Sequence, residues 1–165
     1  MATVVACSTT KKIPLGQGTM VQLPSSARQL SKEEFAQQNQ KYFQAMPLQV
    51  LDNLYLAGNI LVSFRNIRNI ASTEESYEKK KIVWDRIVSE NSDASPNNRV
   101  TLTTINNNQV LTWRIINKGQ ISISFFCKDK SNKFNLTGAV KGTSADSTKA
   151  DNVVSYMTNH VKFSQ

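Results

Sequence analysis

The spacing of apolar and polar residues divides the chain into an irregular start, a helical part and a part made of alternating strands. Residues 1–30 contain Pro14 and Pro24, and no apolar period of 3.6 or 2.0 lasts more than a few residues there. Such a segment buries too little apolar surface to offset the entropy of ordering it. We therefore expect residues 1–30 to form a flexible basic arm, disordered or laid across another surface, followed by one domain over residues 31–165.

Three helices are predicted after the arm. Ser-x-x-Glu capping boxes at 31–34 and 72–75 are typical of helix starts, and Pro47 closes the first helix or kinks it into the next. Over residues 48–64 apolar side chains would surround a helix axis, which predicts a buried second helix. The third helix would begin at residue 72 and end at about Glu90.

The apolar period changes to two after residue 98. Alternation predicts four strands with one wet face, and Lys118-Gly119 is typical of a two-residue hairpin turn. A last helix with one apolar face is expected from about Thr148 to Phe163. The expected fold is α+β, with a flexible N-terminal arm, a helical N-terminal half, a four-stranded antiparallel sheet and a C-terminal helix. The predicted strands cover residues 99–105, 110–117, 120–128 and 134–140.

Positive charge is concentrated in two parts of the chain. The 165 residues carry a net charge of +8. Residues 1–32 hold four cations and no acid, residues 99–141 hold seven cations and one acid, and residues 33–98 are slightly acidic. Segregated positive charge attracts polyanions over a Debye length of about 8 Å at physiological salt.

The polar positions of the predicted strands suggest a surface for nucleic acid. Hydroxyls, amides and cations are the groups that contact phosphate and sugar, although an ordinary solvated face explains the pattern equally well. The side chains expected to share this face are Thr101, Thr103, Thr112, Arg114, Ser122, Ser124, Lys128, Asn135 and Thr137. The candidate nucleic-acid-binding residues of the whole chain are Lys11, Lys12, Arg65, Arg68, Arg99, Arg114, Lys118, Lys128 and Lys130.

The sequence offers little for catalysis. His160 is the one histidine, expected on the apolar face of the last helix, and Cys7 and Cys127 are far apart in sequence. These are too few ligands for zinc, and phosphate-loop and dinucleotide-binding motifs are absent. We therefore predict no catalytic residues, no metal, no cofactor and no enzymatic activity.

Three functional hypotheses follow. The first is a self-assembling RNA-binding protein of the viral nucleocapsid or coat type, with single-stranded RNA or another polyanion as partner and the arm mediating homo-oligomerisation. The alternative is a cytosolic protein-binding accessory module without nucleic-acid binding. The third is a small hydrolase or transferase that uses dispersed acids. The chain lacks a recognisable signal peptide and a membrane span, so we expect an intracellular or virion location.

Overall fold

Strands outnumber helices in the described part of the chain. The computed structural model describes residues 9–16, 18–43, 47–68, 76–90, 95–131 and 133–163. A 3-10 turn at Ser144–Asp146 leads into the last helix. In chain order the elements are β1 Thr10–Pro14, β2 Met20–Pro24, β3 Arg28–Gln29, α1 Lys32–Phe43, β4 Asn53–Ala57, β5 Ile60–Arg68, α2 Tyr77–Glu90, β6 Arg99–Ile105, β7 Asn108–Asn117, β8 Gln120–Lys128, β9 Phe134–Thr143 and α3 Ser147–Asn159.

The described strands form a seven-stranded antiparallel sheet and a separate hairpin. The large sheet has the order β3-β4-β5-β9-β8-β7-β6, and β1 pairs with β2 in the hairpin. Within the large sheet, strands that follow one another along the chain are neighbours, except that β5 pairs with β9 instead of β6. Strand β9 therefore joins the β4–β5 hairpin to the β6–β8 meander at the centre of the sheet.

Helix α3 and the β1–β2 hairpin cover one face of the sheet, which we call the α3 face. In α3 the buried apolar residues recur every three or four positions, which turns one side of the helix towards the sheet. The cluster that it forms with the sheet includes Val21, Leu23, Phe64, Phe125, Val140, Val153 and Met157.

Helices α1 and α2 lie on the other face, which we call the second face. Helix α1 packs on β4, and helix α2 packs on β6 and β7. Each has its own small apolar cluster: Phe35 and Phe43 with Leu54 under α1, and Tyr77 with Leu111 under α2. The two helices therefore occupy opposite sides of the same face.

Residues 48–64 do not form the predicted helix, because β4 and part of β5 occupy this segment. Gly58 takes the positive φ of 61° in the turn that joins these strands. The strands are apolar on both sides because Val62 packs on the α3 face while Leu61 packs under α1. A strand buried on both faces and a helix buried all round produce the same unbroken apolar run, and the helical prediction is wrong.

The prediction of a flexible arm is also wrong for the described residues between 9 and 30. These residues form β1, β2 and β3, and Val21 and Leu23 are 0% exposed in the main cluster. A strand turns alternate side chains to one face, and Ile13, Val21 and Leu23 are the side chains by which this hairpin packs on the core. Residues 1–8 lie outside the described residues.

The elements of the C-terminal part agree more closely with the prediction from the sequence. Strands β6 and β8 have the predicted bounds, and Lys118 and Gly119 form the predicted turn with φ values of 46° and 73°. The predicted fold class is nevertheless wrong. The sheet recruits β3, β4 and β5 from the supposed helical half, so the described chain is mostly β.

Candidate functional site

A strip of small and polar residues lies between α1 and α2 on the second face. The strand register places Arg65, Ser122, Ser124, Thr137 and Ala139 close together across β5, β9 and β8; we call these residues the central strip. Arg65 is exposed and the other four are half-buried. Because α1 packs on β4 and α2 on β6 and β7, the central strip lies between the two helices, and we call the space above it the groove.

The α2 side of this groove is aromatic. Trp84 of α2 and Trp113 of β7 stack with ring centroids 4.9 Å apart, and Phe126 of β8 lies 5.4 Å from Trp84. Trp113 is directly opposite Ser124 in the sheet, so the aromatic cluster adjoins the central strip. Aromatic side chains bury large areas, and this cluster holds α2 on the sheet.

Helix α2 also exposes large apolar side chains. Ile82, Val83 and Ile87 are 63%, 48% and 39% exposed. Val83 and Ile87 follow Lys80 at i+3 and i+7 and share its side of the helix. The Lys80 amine lies 5.6 Å from the ring centroid of Phe126 on β8. That side of α2 therefore borders the central strip, whereas Ile82 projects from another side.

Two cations, Lys128 and Arg65, border the groove, and a third, Lys141, is buried beside α1. The Lys128 amine is 4.5 Å from the ring centroid of Tyr77, and Arg65 is exposed within the central strip. Near α1, Lys141 is 3% exposed with its amine 5.4 Å from the ring centroid of Phe43, and burial lowers the pKa of Lys141. The groove thus combines an apolar wall with positive charge.

The polar face expected of the strands is split between the two faces of the sheet. The turn at Lys118-Gly119 pairs Asn117 with Gln120, so Arg114 lies opposite Ile123 on the α3 face. The same face carries Thr101, Thr103 and Thr112, whereas the second face carries Ser122, Ser124, Lys128, Asn135 and Thr137.

Arg114 is used by the fold. Its Nε lies 3.0 Å from Oδ1 of Asp151 and its Nη2 lies 3.3 Å from Oδ2, while Nη1 donates to the carbonyl of Asn97 at 2.9 Å. Arg114 is only 7% exposed. The guanidinium therefore ties the sheet to α3 instead of facing a ligand.

The other candidate nucleic-acid-binding residues do not form one surface either. Lys11 donates to the carbonyl of Ala27, and its amine lies 5.2 Å from the ring centroid of Tyr55. The side chain of Arg68 lies outside the described residues. Arg65 and Lys128 belong to the groove. The exposed members Lys12, Arg99, Lys118 and Lys130 lie on β1, on β6 and in the turns at opposite ends of β8. The groove residues Trp84, Trp113, Val83 and Ile87 were not among the candidates.

The described residues contain no group of three or more His, Cys, Asp or Glu that could hold a metal. Cys127 is 0% exposed, and burial together with nearby Asp129 raises its pKa to about 12. His160 was expected to pack against the core, but it is exposed just beyond α3, with Nδ1 3.1 Å from the carbonyl oxygen of Tyr156. Cys7 lies outside the described residues.

The fold resembles solved structures that share almost no sequence with this chain. Cyanobacterial PsbP (CyanoP) from Synechocystis sp. PCC 6803 matches with a TM-score of 0.51 at 9% identity, over 94% of this chain and 95% of that chain. LpqN of Mycobacterium tuberculosis, which is involved in cell envelope biogenesis, matches with a TM-score of 0.42 at 8% identity, over 95% and 91%. No protein-family model and no curated protein matches the sequence.

These findings overturn the viral hypothesis. The fold is shared with CyanoP along nearly the whole of both chains, and CyanoP is not a viral coat or RNA-binding protein. The supposed basic sheet face is divided between two faces, and the β1–β2 hairpin is packed in the core instead of being free to reach a second copy. The nucleocapsid or coat prediction is therefore wrong. Among the described residues, no helix is long and apolar enough to cross a membrane.

Proposed function

We propose that this protein is a non-catalytic accessory module that binds another protein in the groove over the central strip. The observation that carries the proposal is the exposure of Val83 and Ile87, 48% and 39%, beside this half-buried strip. Apolar surface rimmed by polar residues is typical of protein interfaces. The likeness to CyanoP supports this proposal only by arguing against a coat protein. It gives no information on which partner is bound.

The groove fits a segment that has an apolar edge and acidic groups. The apolar edge packs on Val83 and Ile87, and the acidic groups face the exposed Arg65. The small side chains of the central strip, such as Ser124, leave room for a larger side chain of the partner. Trp and Arg at the centre of an interface commonly contribute most to its affinity.

A binding role also agrees with the chemistry of the described residues. The one thiol among them is buried, and its pKa is raised to about 12, so it is protonated at neutral pH. Contacts made mainly by apolar side chains weaken little with salt, whereas phosphate contacts weaken steeply. The intracellular location inferred from the sequence stays a prediction.

Intrinsic fluorescence can test this proposal, because both tryptophans of the chain, Trp84 and Trp113, border the groove. Peptides selected against the wild-type protein from a random-peptide phage library are titrated while tryptophan emission is followed. We expect Val83→Ser with Ile87→Ser to weaken binding about ten- to seventyfold. Complete burial of each such side chain contributes about 1.5–3 kcal/mol, and only the exposed parts, 48% and 39%, remain to be buried by a partner. Ile82→Ser on another side of the same helix is the matched control and should change affinity little.

Equal losses in the Ile82→Ser control and the double variant would place the peptides elsewhere and refute the proposal. So would selected peptides that leave tryptophan emission unchanged. Binding that the double variant retains but that moderate salt abolishes would indicate a purely electrostatic site, which also contradicts a groove with an apolar wall.

A further inference from the structure

A cleft of about 1110 Å³ opens at one end of the sheet, away from the central strip. Three parts of the described chain line it: the β6–β7 turn at Asn106 and Asn107, the β8–β9 turn at residues 129–131 and 133, and the chain at 159–163 beyond α3. The space is large enough for a drug-sized organic molecule. None of its lining residues belongs to the groove proposed above for a protein partner.

The walls of the cleft are joined to one another by hydrogen bonds. Asn106 donates its side-chain amide to the carbonyl of Asn159 at 2.8 Å, which ties the β6–β7 turn to the end of α3. Backbone bonds of 2.8 and 2.9 Å connect Met20 of β2 with Lys162. These contacts hold the lining in place before a ligand arrives, which lowers the entropy cost of binding.

One wall of the cleft is apolar. The rings of Phe134 and Phe163 stack with centroids 6.0 Å apart and an interplanar angle of 15°. Phe163 is half-buried and Val161 is buried beside it. A flat apolar group in the cleft can therefore lie against ring and aliphatic surface.

The charged side chains of the cleft are mainly cations. Lys130, Lys133 and Lys162 are exposed lining residues, and Asp129 is the acid among the lining residues. The carboxylate of Asp129 is occupied by its own turn: Oδ1 accepts from the backbone N–H of Phe134 at 2.9 Å, and Oδ2 accepts from the backbone N–H of Ser131 at 3.1 Å. These bonds partly offset the charge of Asp129, and three lysines against this one acid leave the cleft lining with an excess of positive charge.

The C-terminus of α3 borders the cleft, and its partial negative charge disfavours a bound anion. Helix C-termini carry partial negative charge on their last carbonyls. The carbonyl of Asn159 accepts from Asn106, which reduces this effect. The full charges of three lysines outweigh a partial charge of about one half, so an anion remains favoured over a cation.

We propose that this cleft binds a small organic carboxylate, with its apolar ring or chain against Phe163 and its carboxylate held by Lys130 and Lys133. An apolar wall next to lysines favours a ligand that carries both kinds of group. Inorganic phosphate satisfies the lysines and leaves the aromatic wall uncovered. A neutral aromatic molecule covers the wall and leaves the lysines without a counter-charge.

Paired probes separate these contributions. The protein is titrated with 2-naphthoate, with its neutral counterpart 2-naphthamide, and with inorganic phosphate, while amide chemical shifts are followed by NMR. We expect 2-naphthoate to bind with a Kd on the order of 1 mM, as expected for a small fragment, and to shift the amides of Asn106, Lys130 and His160. The amide counterpart and phosphate should each bind at least about tenfold more weakly, since each lacks one of the two groups.

Lysine variants locate the anion. Lys130→Gln with Lys133→Gln should weaken 2-naphthoate binding about tenfold, because charged hydrogen bonds contribute roughly twice as much as neutral ones. Lys118→Gln, in the turn at the opposite end of β8, is the matched control and should leave binding unchanged. Phe163→Ala should weaken both naphthyl probes and leave phosphate unaffected.

Equal affinities for 2-naphthoate and 2-naphthamide, or for 2-naphthoate and phosphate, would overturn the proposal. Shifts confined to residues of the central strip would overturn it as well. The variant Val83→Ser with Ile87→Ser should bind 2-naphthoate normally, so this proposal and the proposed protein-binding function can fail independently.

Discussion

Gly138 lies at the centre of the sheet, where β9 runs between β5 and β8. Its substitution by alanine would test how closely these strands pack. A Cβ at this position would lie 2.5 Å from the backbone oxygen of Ser63, 2.6 Å from Cβ of Phe64 and 2.7 Å from Cζ of Phe125. The first two atoms are fixed by the β5 backbone and cannot rotate away. Gly138→Ala therefore has to displace β5 or β9 from the core of the sheet.

The expected loss can be estimated from two opposing effects. Adding a methyl group to a well-packed core costs about 1–3 kcal/mol and occasionally more, and three simultaneous short contacts place Gly138→Ala at the upper end. Replacing glycine in a strand also gains about 0.5–1 kcal/mol by restricting the unfolded chain. The free energy of unfolding should therefore fall by about 2–3 kcal/mol.

Gly142→Ala is the matched control, since it lies on the same strand and the same face. Its Cβ would lie 2.5 Å from Cδ1 of Ile60, and the next contacts are at 3.8 Å. That methyl group can move away by a side-chain rotation that costs about 0.5–1.5 kcal/mol, which the gain from replacing glycine largely offsets. We expect the stability of Gly142→Ala to stay within about 1 kcal/mol of the wild type.

Urea unfolding followed by tryptophan fluorescence and circular dichroism measures both variants. With a slope of about 2 kcal/mol per molar urea, the midpoint of Gly138→Ala should fall by about 1 M while that of Gly142→Ala moves much less. A loss below 1 kcal/mol for Gly138→Ala, or a larger loss for Gly142→Ala, would refute the packing argument.

Three further predictions concern buried ionisable groups. Asp151→Ala should lower the free energy of unfolding by about 2 kcal/mol. This is less than the 3–5 kcal/mol expected for a fully buried pair, because the Asp151 side chain is 36% exposed. Arg114→Met should cost less than Asp151→Ala, and the reverse order of the urea midpoints would contradict this. Burial lowers the pKa of Lys141 from its usual 10.5. The unfolded chain therefore binds more protons than the folded one between the two pKa values, and stability should rise as the pH approaches 10.5. Lys141→Met should abolish this rise, and an unchanged pH profile of the variant would contradict the prediction. In a Cys7→Ser background, Cys127 should react with a thiol reagent only after unfolding, because it is 0% exposed and its pKa is raised to about 12; rapid labelling of the native protein would show that the site opens.

The local hairpins were predictable from sequence because alternation and turn chemistry agree there. Lys118-Gly119 is a two-residue turn in the sequence and in the structure, and such a turn leaves one possible register. Counting back from Asn117 paired with Gln120 places Arg114 opposite the apolar Ile123. The assignment of Arg114 to a wet face was therefore avoidable, since the register that follows from the predicted turn already places it on the apolar side.

The pairing of distant segments was not predictable in the same way. The apolar run over residues 48–64 fits a buried helix and two buried strands equally well. What decides in favour of strands is β9, which lies about 70 residues further along the chain and pairs with β5 through contacts such as Phe64 opposite Gly138. No feature within residues 48–64 indicates that partner.

Net charge misled the functional interpretation because it counts cations without regard to their partners. Arg114 is paired with Asp151, the amine of Lys11 donates to a carbonyl, and Lys141 is buried. These three cations therefore do not contribute to a polyanion surface, although the sequence counts them. Helix α2 shows the opposite error. The spacing of Tyr77, Trp84, Ile87 and Val88 predicts one buried apolar stripe, yet Ile87 remains 39% exposed. The helix lies on β6 and β7 with Tyr77 as its fully buried anchor among the described residues, so which side chains stay open to a partner depends on how much of the sheet each helix covers.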